Sequence, residues 1–173
     1  ILSDATVNVS GAGELDVDDD IVFHGDNASF NSTLTGTFDI NDDVDFNAGD
    51  DNNTFTSNST ITVNRIVYKG SFNVVNNNGI LNVGDDIYFE GQNDDEAISC
   101  GFVGGTGSTT IVRDDVYLDQ KDDASNNYIT NDGLFTADYV YCDAQNTTFT
   151  NTVNGTWTIN DDMFCDDNFW TVI

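Results

Sequence analysis

The sequence predicts an all-β fold: a parallel β-solenoid of about seven coils, each of three short strands, wound right-handed with a triangular section. Three observations predict it. One sentence is written over and over: Gly-x-Φ-x-Φ, an acidic turn, then Φ-x-Φ (Φ apolar) recurs seven times in 173 residues. The composition is that of turns and strands: among 31 acidic residues only Glu14, Glu90 and Glu96 are Glu, and proline is absent. Asp and Asn favour turns where Glu favours helix, and the abundant Thr, Val, Ile, Phe and Tyr suit strands. Finally, equivalent positions stay apolar from copy to copy. An antiparallel sandwich, the alternative all-β fold, has no need of matching residues at fixed offsets.

The elements follow in chain order. Residues 1–12, within "ILSDATVNVSGAG", alternate as a strand does. Residues 13–165 hold the coils: "GELDVDDDIVF" from Gly13, "GTFDINDDVDF" from Gly36, "STITVNRIVY" from Ser59 and "GILNVGDDIYF" from Gly79. Then come "STTIVRDDVYL" from Ser108, "GLFTADYVYC" from Gly133 and "GTWTINDDMFC" from Gly155. The copies from Ser59 and Gly133 are one residue shorter in the turn. Starts lie roughly 20 to 29 residues apart, the period of a solenoid. A third segment appears as "ASFNS" at Ala28, "NTFTS" at Asn53, "GSFNV" at Gly70, "EAISC" at Glu96, "NYITN" at Asn127 and "TTFTN" at Thr147.

Three apolar columns result. The first reads Ile21, Val44, Ile66, Ile87, Val116, Val140, Met163. The second reads Phe23, Phe46, Tyr68, Phe89, Leu118, Cys142, Cys165, and the third Phe30, Phe55, Phe72, Ile98, Ile129, Phe149, Phe169. Period-two alternation turns each column to one face, and stacking makes it continuous. On this pattern the chain resembles the β-solenoid repeats of bacterial and archaeal extracellular proteins, such as autotransporter passengers and filamentous adhesins. The resemblance implies an extracellular or cell-surface, structural or adhesive role, and it brings no catalytic residues with it.

The acidic turn carries Asp19 and Asp20, Asp42 and Asp43, Asp85 and Asp86, Asp114 and Asp115, Asp138, then Asp161 and Asp162. Stacked about 4.8 Å apart, such charges repel by roughly 1 kcal/mol in water and about 3.5 kcal/mol at an effective dielectric of 20. Arg65, in the slot where neighbours carry Asp, and Arg113 beside it are expected counter-charges. The corner supports a range of readings, from Ca²⁺ coordination, for which clustered carboxylates are suited, to an Asp-rich turn that holds no specific ion; weak, collective binding of cations lies between them and is the expectation. No D-x-D-x-D-G loop is present, and no cofactor is required.

A formal net charge of −27, with four basic residues, repels nucleic acid and anionic membranes, and no run is long and apolar enough to insert in a bilayer. Divalent cations and glycans remain as partners. Cys142 and Cys165 fall in one column of adjacent coils, placed either to form a disulfide or to fill two small apolar slots; Cys100 is left as a buried thiol. Sequons at Asn8, Asn27, Asn31, Asn52, Asn58, Asn146 and Asn154 are candidate glycosylation sites. His24 stands in no Ser or Cys catalytic motif and is expected at a turn. Acidic pairs are so common that none marks a glycosidase dyad, and few bases are available to stabilise an oxyanion; an enzyme is not expected.

A surface-binding module is the rival to a structural role. Thr54/Thr56, Thr60/Thr62, Thr148/Thr150 and Thr156/Thr158 form Thr-x-Thr pairs like those of ice-binding solenoids, interrupted by Asp16, Asp39 and Asn82. The ends favour the structural role. A chain opening at Ile1 without Met is what removal of a leader leaves, and both ends are strand-like and apolar. Ile1, Leu2, Val7 and Val9 are expected to meet Phe169, Trp170, Val172 and Ile173, in the strand of residues 166–173, of another copy. Head-to-tail contact of this kind propagates as a filament, with the chain as its own partner.

Overall fold

The computed structural model describes residues 1–47, 51–90, 99–118, 126–144, 146–165 and 171–172, which form strands and turns and no helix. The first coil is β1 (Thr6–Gly11), β2 (Leu15–Val17) and β3 (Ile21–Phe23). In the next two coils the second and third strands fuse around the corner: β4 (Ser29–Leu34) leads to β5 (Thr37–Phe46), and β6 (Thr54–Ser57) to β7 (Thr60–Tyr68). They separate again in β8 (Val74–Asn77), β9 (Ile80–Val83) and β10 (Ile87–Phe89), and in β11 (Gly101–Gly104), β12 (Thr109–Val112) and β13 (Asp115–Leu118). The sixth coil is β14 (Tyr128–Asn131), β15 (Leu134–Ala137) and β16 (Tyr139–Cys142). The seventh is β17 (Thr148–Asn151), β18 (Thr156–Ile159) and β19 (Met163–Cys165), after which β20 (Thr171–Val172) opens another rung.

Every pairing among the described strands is parallel, and all but the bulged β5–β7 pair keep one unbroken register, giving a β-solenoid of about six turns between its first and last rungs. The first face stacks β1, β4, β6, β8, β11, β14, β17 and β20. The second stacks β2, the front of β5 and β7, then β9, β12, β15 and β18; the third stacks β3, the rear of β5 and β7, then β10, β13, β16 and β19. The shorter turn of the Ser59 copy is absorbed as a bulge: register shifts between Ile40 and Asp43, so Asn41 and Asp42 stand against the single Asn64.

The first two apolar columns pair as the repeat predicts, from Ile21↔Val44 to Val140↔Met163 and from Phe23↔Phe46 to Cys142↔Cys165. The third column needs correcting. It runs Val7, Phe30, Phe55, Val75, Phe102, Ile129, Phe149, Val172. Phe72 is not in it: the residue has φ 58° and is 55% exposed, in the turn slot that Asn27 (φ 59°), Asn52 (φ 60°) and Asn146 (φ 55°) fill in other coils. Phe102 takes the place expected for Ile98, and Val172 the place expected for Phe169; Ile98 and Phe169 lie outside the described residues.

Inside, parallel register puts like on like. Phe23, Phe46, Tyr68 and Phe89 stack with ring centroids 4.6, 5.1 and 4.4 Å apart, and all four are fully buried. Each such pair adds about 0.5–1.5 kcal/mol beyond the area it buries. The Tyr68 hydroxyl is satisfied by donating to the Gly101 carbonyl at 3.1 Å. Corners are held by buried side-chain amides. Asn53 Oδ1 accepts the Ala28 N–H at 2.7 Å, Asn73 Oδ1 the Asn53 N–H at 2.9 Å, and Asn127 Oδ1 the Cys100 N–H at 3.0 Å. At the far end of the first face, Asn77 and Asn131 fold back on the N–H of Gly79 and Gly133. These glycines are obligatory, because a Cβ would lie 2.2 Å from the carbonyl oxygen of Ser59 or Ser108 one rung below.

Candidate functional site

The acidic turns fall on the corner between the second and third faces. Rungs are pinned there by carboxylates: Asp20 Oδ1 accepts the Asp43 N–H at 3.1 Å and Asp86 Oδ1 the Asp115 N–H at 2.9 Å. Arg65 faces Asp43 in register and splits the acidic column. Its Nε lies 3.1 Å from both Asp43 oxygens, and its Nη2 lies 2.5 Å from Oδ2. Lys69 pairs with Asp45 at 3.1 Å on the rung beside it. Arg113, the second expected counter-charge, is exposed and makes no ion pair among the described residues.

On either side of Arg65 the structure gathers a carboxylate triad, Asp19–Asp20–Asp42 and Asp85–Asp86–Asp114, whose ligand oxygens lie within 4.8 Å of one another. The other acids of the corner are drawn elsewhere: Asp43 to Arg65, and Asp115 to the Tyr117 hydroxyl, which donates to it at 2.8 Å. Asp161 and Asp162 stand exposed on the seventh coil. Within the triads the charges act on each other. Asp43 beside it, with burial and Asp20, raises the Asp42 carboxyl above its ordinary range while Arg65 pulls it down. Asp115, then burial and Asp85, raise Asp114; burial raises Asp86. Three oxygens at this spacing match part of the six to eight that Ca²⁺ takes, with water and carbonyls for the remainder.

Cys142 and Cys165 face each other in register as free thiols, and burial followed by the Cys142 thiol pushes Cys165 up to about 12. Cys100 is buried, donates from Sγ to the Gly70 carbonyl at 3.0 Å, and is likewise pushed up to about 12 by burial. None of the seven sequon asparagines is buried; Asn27, Asn52 and Asn146 share the left-handed turn slot. His24 follows β3 at a turn, its N–H bonded to the Leu2 carbonyl.

The Thr-x-Thr pairs divide between two faces. Thr54/Thr56 and Thr148/Thr150 lie on the first, Thr60/Thr62 and Thr156/Thr158 on the second. Between the pairs on the second face stand Ile80 and Leu134, both exposed. Of the residues expected at a subunit contact, Leu2 bridges to Phe23 and is half-buried with Val7 and Val9, while Ile1 is exposed. Val172 pairs with Phe149 through β20; Phe169, Trp170 and Ile173 lie outside the described residues.

Sequence reasoning missed two features. One is the buried asparagine ladder, legible as Asn two residues before the apolar centre of the first-face strand. The other is an aromatic ridge outside the third face, Tyr88, Tyr117, Tyr141 and Phe164, legible as the middle residue of Φ-x-Φ. Comparison with protein-family models, curated proteins and solved structures found no match.

Proposed function

We propose that the chain is a structural subunit of an extracellular filament or surface fibre in which solenoids stack end to end. One observation carries this reading: among the described residues no strand covers β18 and β19, and Phe149, Trp157, Ile159 and Met163 line an apolar cavity of about 210 Å³ there. Met163 is 42% exposed and Phe164 45%. In each earlier rung these positions are roofed by the next coil, so a further coil is the shape that fits here, and in this reading another copy supplies it. Strand addition satisfies the open backbone groups and buries the apolar ones. The contact joins two different surfaces, so it repeats without closing. The acidic corner then runs along the filament, and Ca²⁺ held by the triads would lower its self-repulsion or bridge neighbouring filaments.

Electron microscopy of the purified chain, with Ca²⁺ and with EDTA, tests this reading. Stacking predicts thin filaments with an axial repeat of roughly 34 to 38 Å, seven to eight rungs at about 4.8 Å each. Replacing Met163 and Ile159 by Asp should leave folded single solenoids, and so should removing residues 169–173. Monomers of the unaltered chain in both conditions would end the filament proposal; filaments indifferent to EDTA would end the metal's part in it.

A further inference from the structure

We propose that the third face carries a carbohydrate subsite, in which Tyr88 and Val67 cradle one neutral pyranose ring while Arg65, Lys69 and Glu90 take its hydroxyls. This site lies on the side of the solenoid and does not depend on end-to-end stacking. The outward column of the third face reads Val22, Asp45, Val67, Tyr88, Tyr117, Tyr141, Phe164. Its aromatic ridge therefore begins at Tyr88. One face of that ring lies on Tyr117, with centroids 4.7 Å apart and planes 8° from parallel. The opposite face looks toward the Val67 rung, where a smaller side chain leaves a cavity of about 370 Å³ lined by Asp43, Arg65, Val67, Lys69, Tyr88 and Glu90.

The chemistry of this cavity selects its ligand. Tyr88 is held by its stack on Tyr117, so its opposite ring face is a fixed wall. The C–H face of a pyranose, slightly positive, suits the negative face of an aromatic ring. Around that apolar floor stand two acids and two bases, with Asp45 paired to Lys69 beside them, a nearly balanced set in a chain of net charge −27. An anionic sugar meets the repulsion of the whole molecule, and an apolar ligand would strand four charged groups away from water. Vicinal hydroxyls both donate and accept. Arg65 binds Asp43 through Nε and Nη2, leaving Nη1 without a hydrogen bond among the described residues, while Lys69 spends one donor on Asp45 and Glu90 is exposed. A volume of this size is at the lower end for small-molecule sites, which suits one or two sugar rings.

Saturation-transfer difference NMR tests the proposal, because it reads ligand protons on monomer and filament alike. The probes are D-glucose, D-galactose, D-mannose and D-xylose, with D-glucuronate as the anionic comparison. At least one neutral sugar should give saturable transfer, strongest on the C–H protons of one ring face, and glucuronate should bind less. Val67→Tyr fills the missing step with the side chain this column already accepts at 88, 117 and 141, and should weaken binding at least about tenfold. Tyr88→Ala, which removes the wall, should do the same, while Tyr141→Ala at the far end of the ridge should stay within about twofold. No transfer from any neutral sugar, unchanged binding in both Val67→Tyr and Tyr88→Ala, or preference for glucuronate would overturn the assignment.

Discussion

The third face is one ribbon built in two ways. In its first four coils the aromatic rings point inward, as Phe23, Phe46, Tyr68 and Phe89, and the outer positions are Val22, Asp45 and Val67 before Tyr88. In the last three coils the inner positions shrink to Leu118, Cys142 and Cys165, and the rings stand outside as Tyr117, Tyr141 and Phe164. The first outer pair keeps the inner spacing, 4.7 Å against 4.4 to 5.1 Å, but the outer stack then loosens: Tyr117 and Tyr141 lie 6.4 Å apart with planes 56° from parallel, and Tyr141 and Phe164 5.7 Å apart. The solvent changes as well. Buried, a stack adds to a core already removed from water; exposed, it offers a flat edge and, where it stops, a free ring face. The fourth coil holds a ring on both sides, and the sugar cavity lies at that crossing.

The sharpest test of this contrast is paired truncation. Phe46→Ala empties a fully buried slot between two stacked rings and should cost about 3–5 kcal/mol, read from urea unfolding. Tyr117→Ala on the outer ridge should cost no more than about 1 kcal/mol. Equal losses would mean that the two stacks share one role. A smaller effect is expected where the halves meet. Phe72 holds a left-handed backbone that Asn adopts in other coils, so Phe72→Asn should raise stability by about 1 kcal/mol and lift the melting temperature. A lower melting temperature would show that the exposed ring carries an interaction worth more than the strain.

The smallest effect is electrostatic and sets the two acidic triads against each other. Asp42, Asp86 and Asp114 are raised above the ordinary value of 3.8, so the folded chain holds their protons more tightly than the unfolded one. Their contribution is fully present below that value and is lost as pH rises through the raised ones. Asp132 works the opposite way: hydroxyl donors Thr106 and Thr152 lower it, so its contribution is lost as pH falls below the ordinary range. Melting temperature should therefore rise on going from neutral to mildly acidic pH, and added salt should raise it more at neutral pH than near pH 4. Arg65 already relieves Asp42 but not Asp114, so Asp114→Asn should blunt the salt response more than Asp42→Asn. A salt response unchanged in both variants would rule out repulsion at the corner as its source.

The solenoid and its register were legible because parallel stacking forces each column to repeat its chemistry, and two columns carried that signal in every copy. The third column misled at Phe72 because an aromatic residue looks like a strand residue wherever it stands. The asparagine before the strand was the better guide to register: Asn53, Asn73 and Asn127 are buried and bonded between rungs, while Phe72 merely precedes Asn73. The acidic corner was legible as a list of residues but not as two triads. Which oxygens remain for a cation depends on a bulge at Asn41–Asp42 and on Arg65 claiming Asp43, and neither follows from counting acids.

The two fused strands, β5 and β7, have a mechanical meaning. In the later described coils the strands end on either side of this corner, with single rung-to-rung bonds such as Arg113 N–H to the Val83 carbonyl crossing the turn, but in these neighbouring coils the chain runs from the second face onto the third as a single ribbon, with ladder bonds on both sides of the bend. A stack in which each layer touches only its neighbours comes apart one layer at a time. Pulled from its two ends, such a chain peels inward from both, each loosened coil exposing the next, until the force meets the bent ribbons. There two faces must be torn together, and the molecule behaves less like a zipper than like a hinge with its pin still in place.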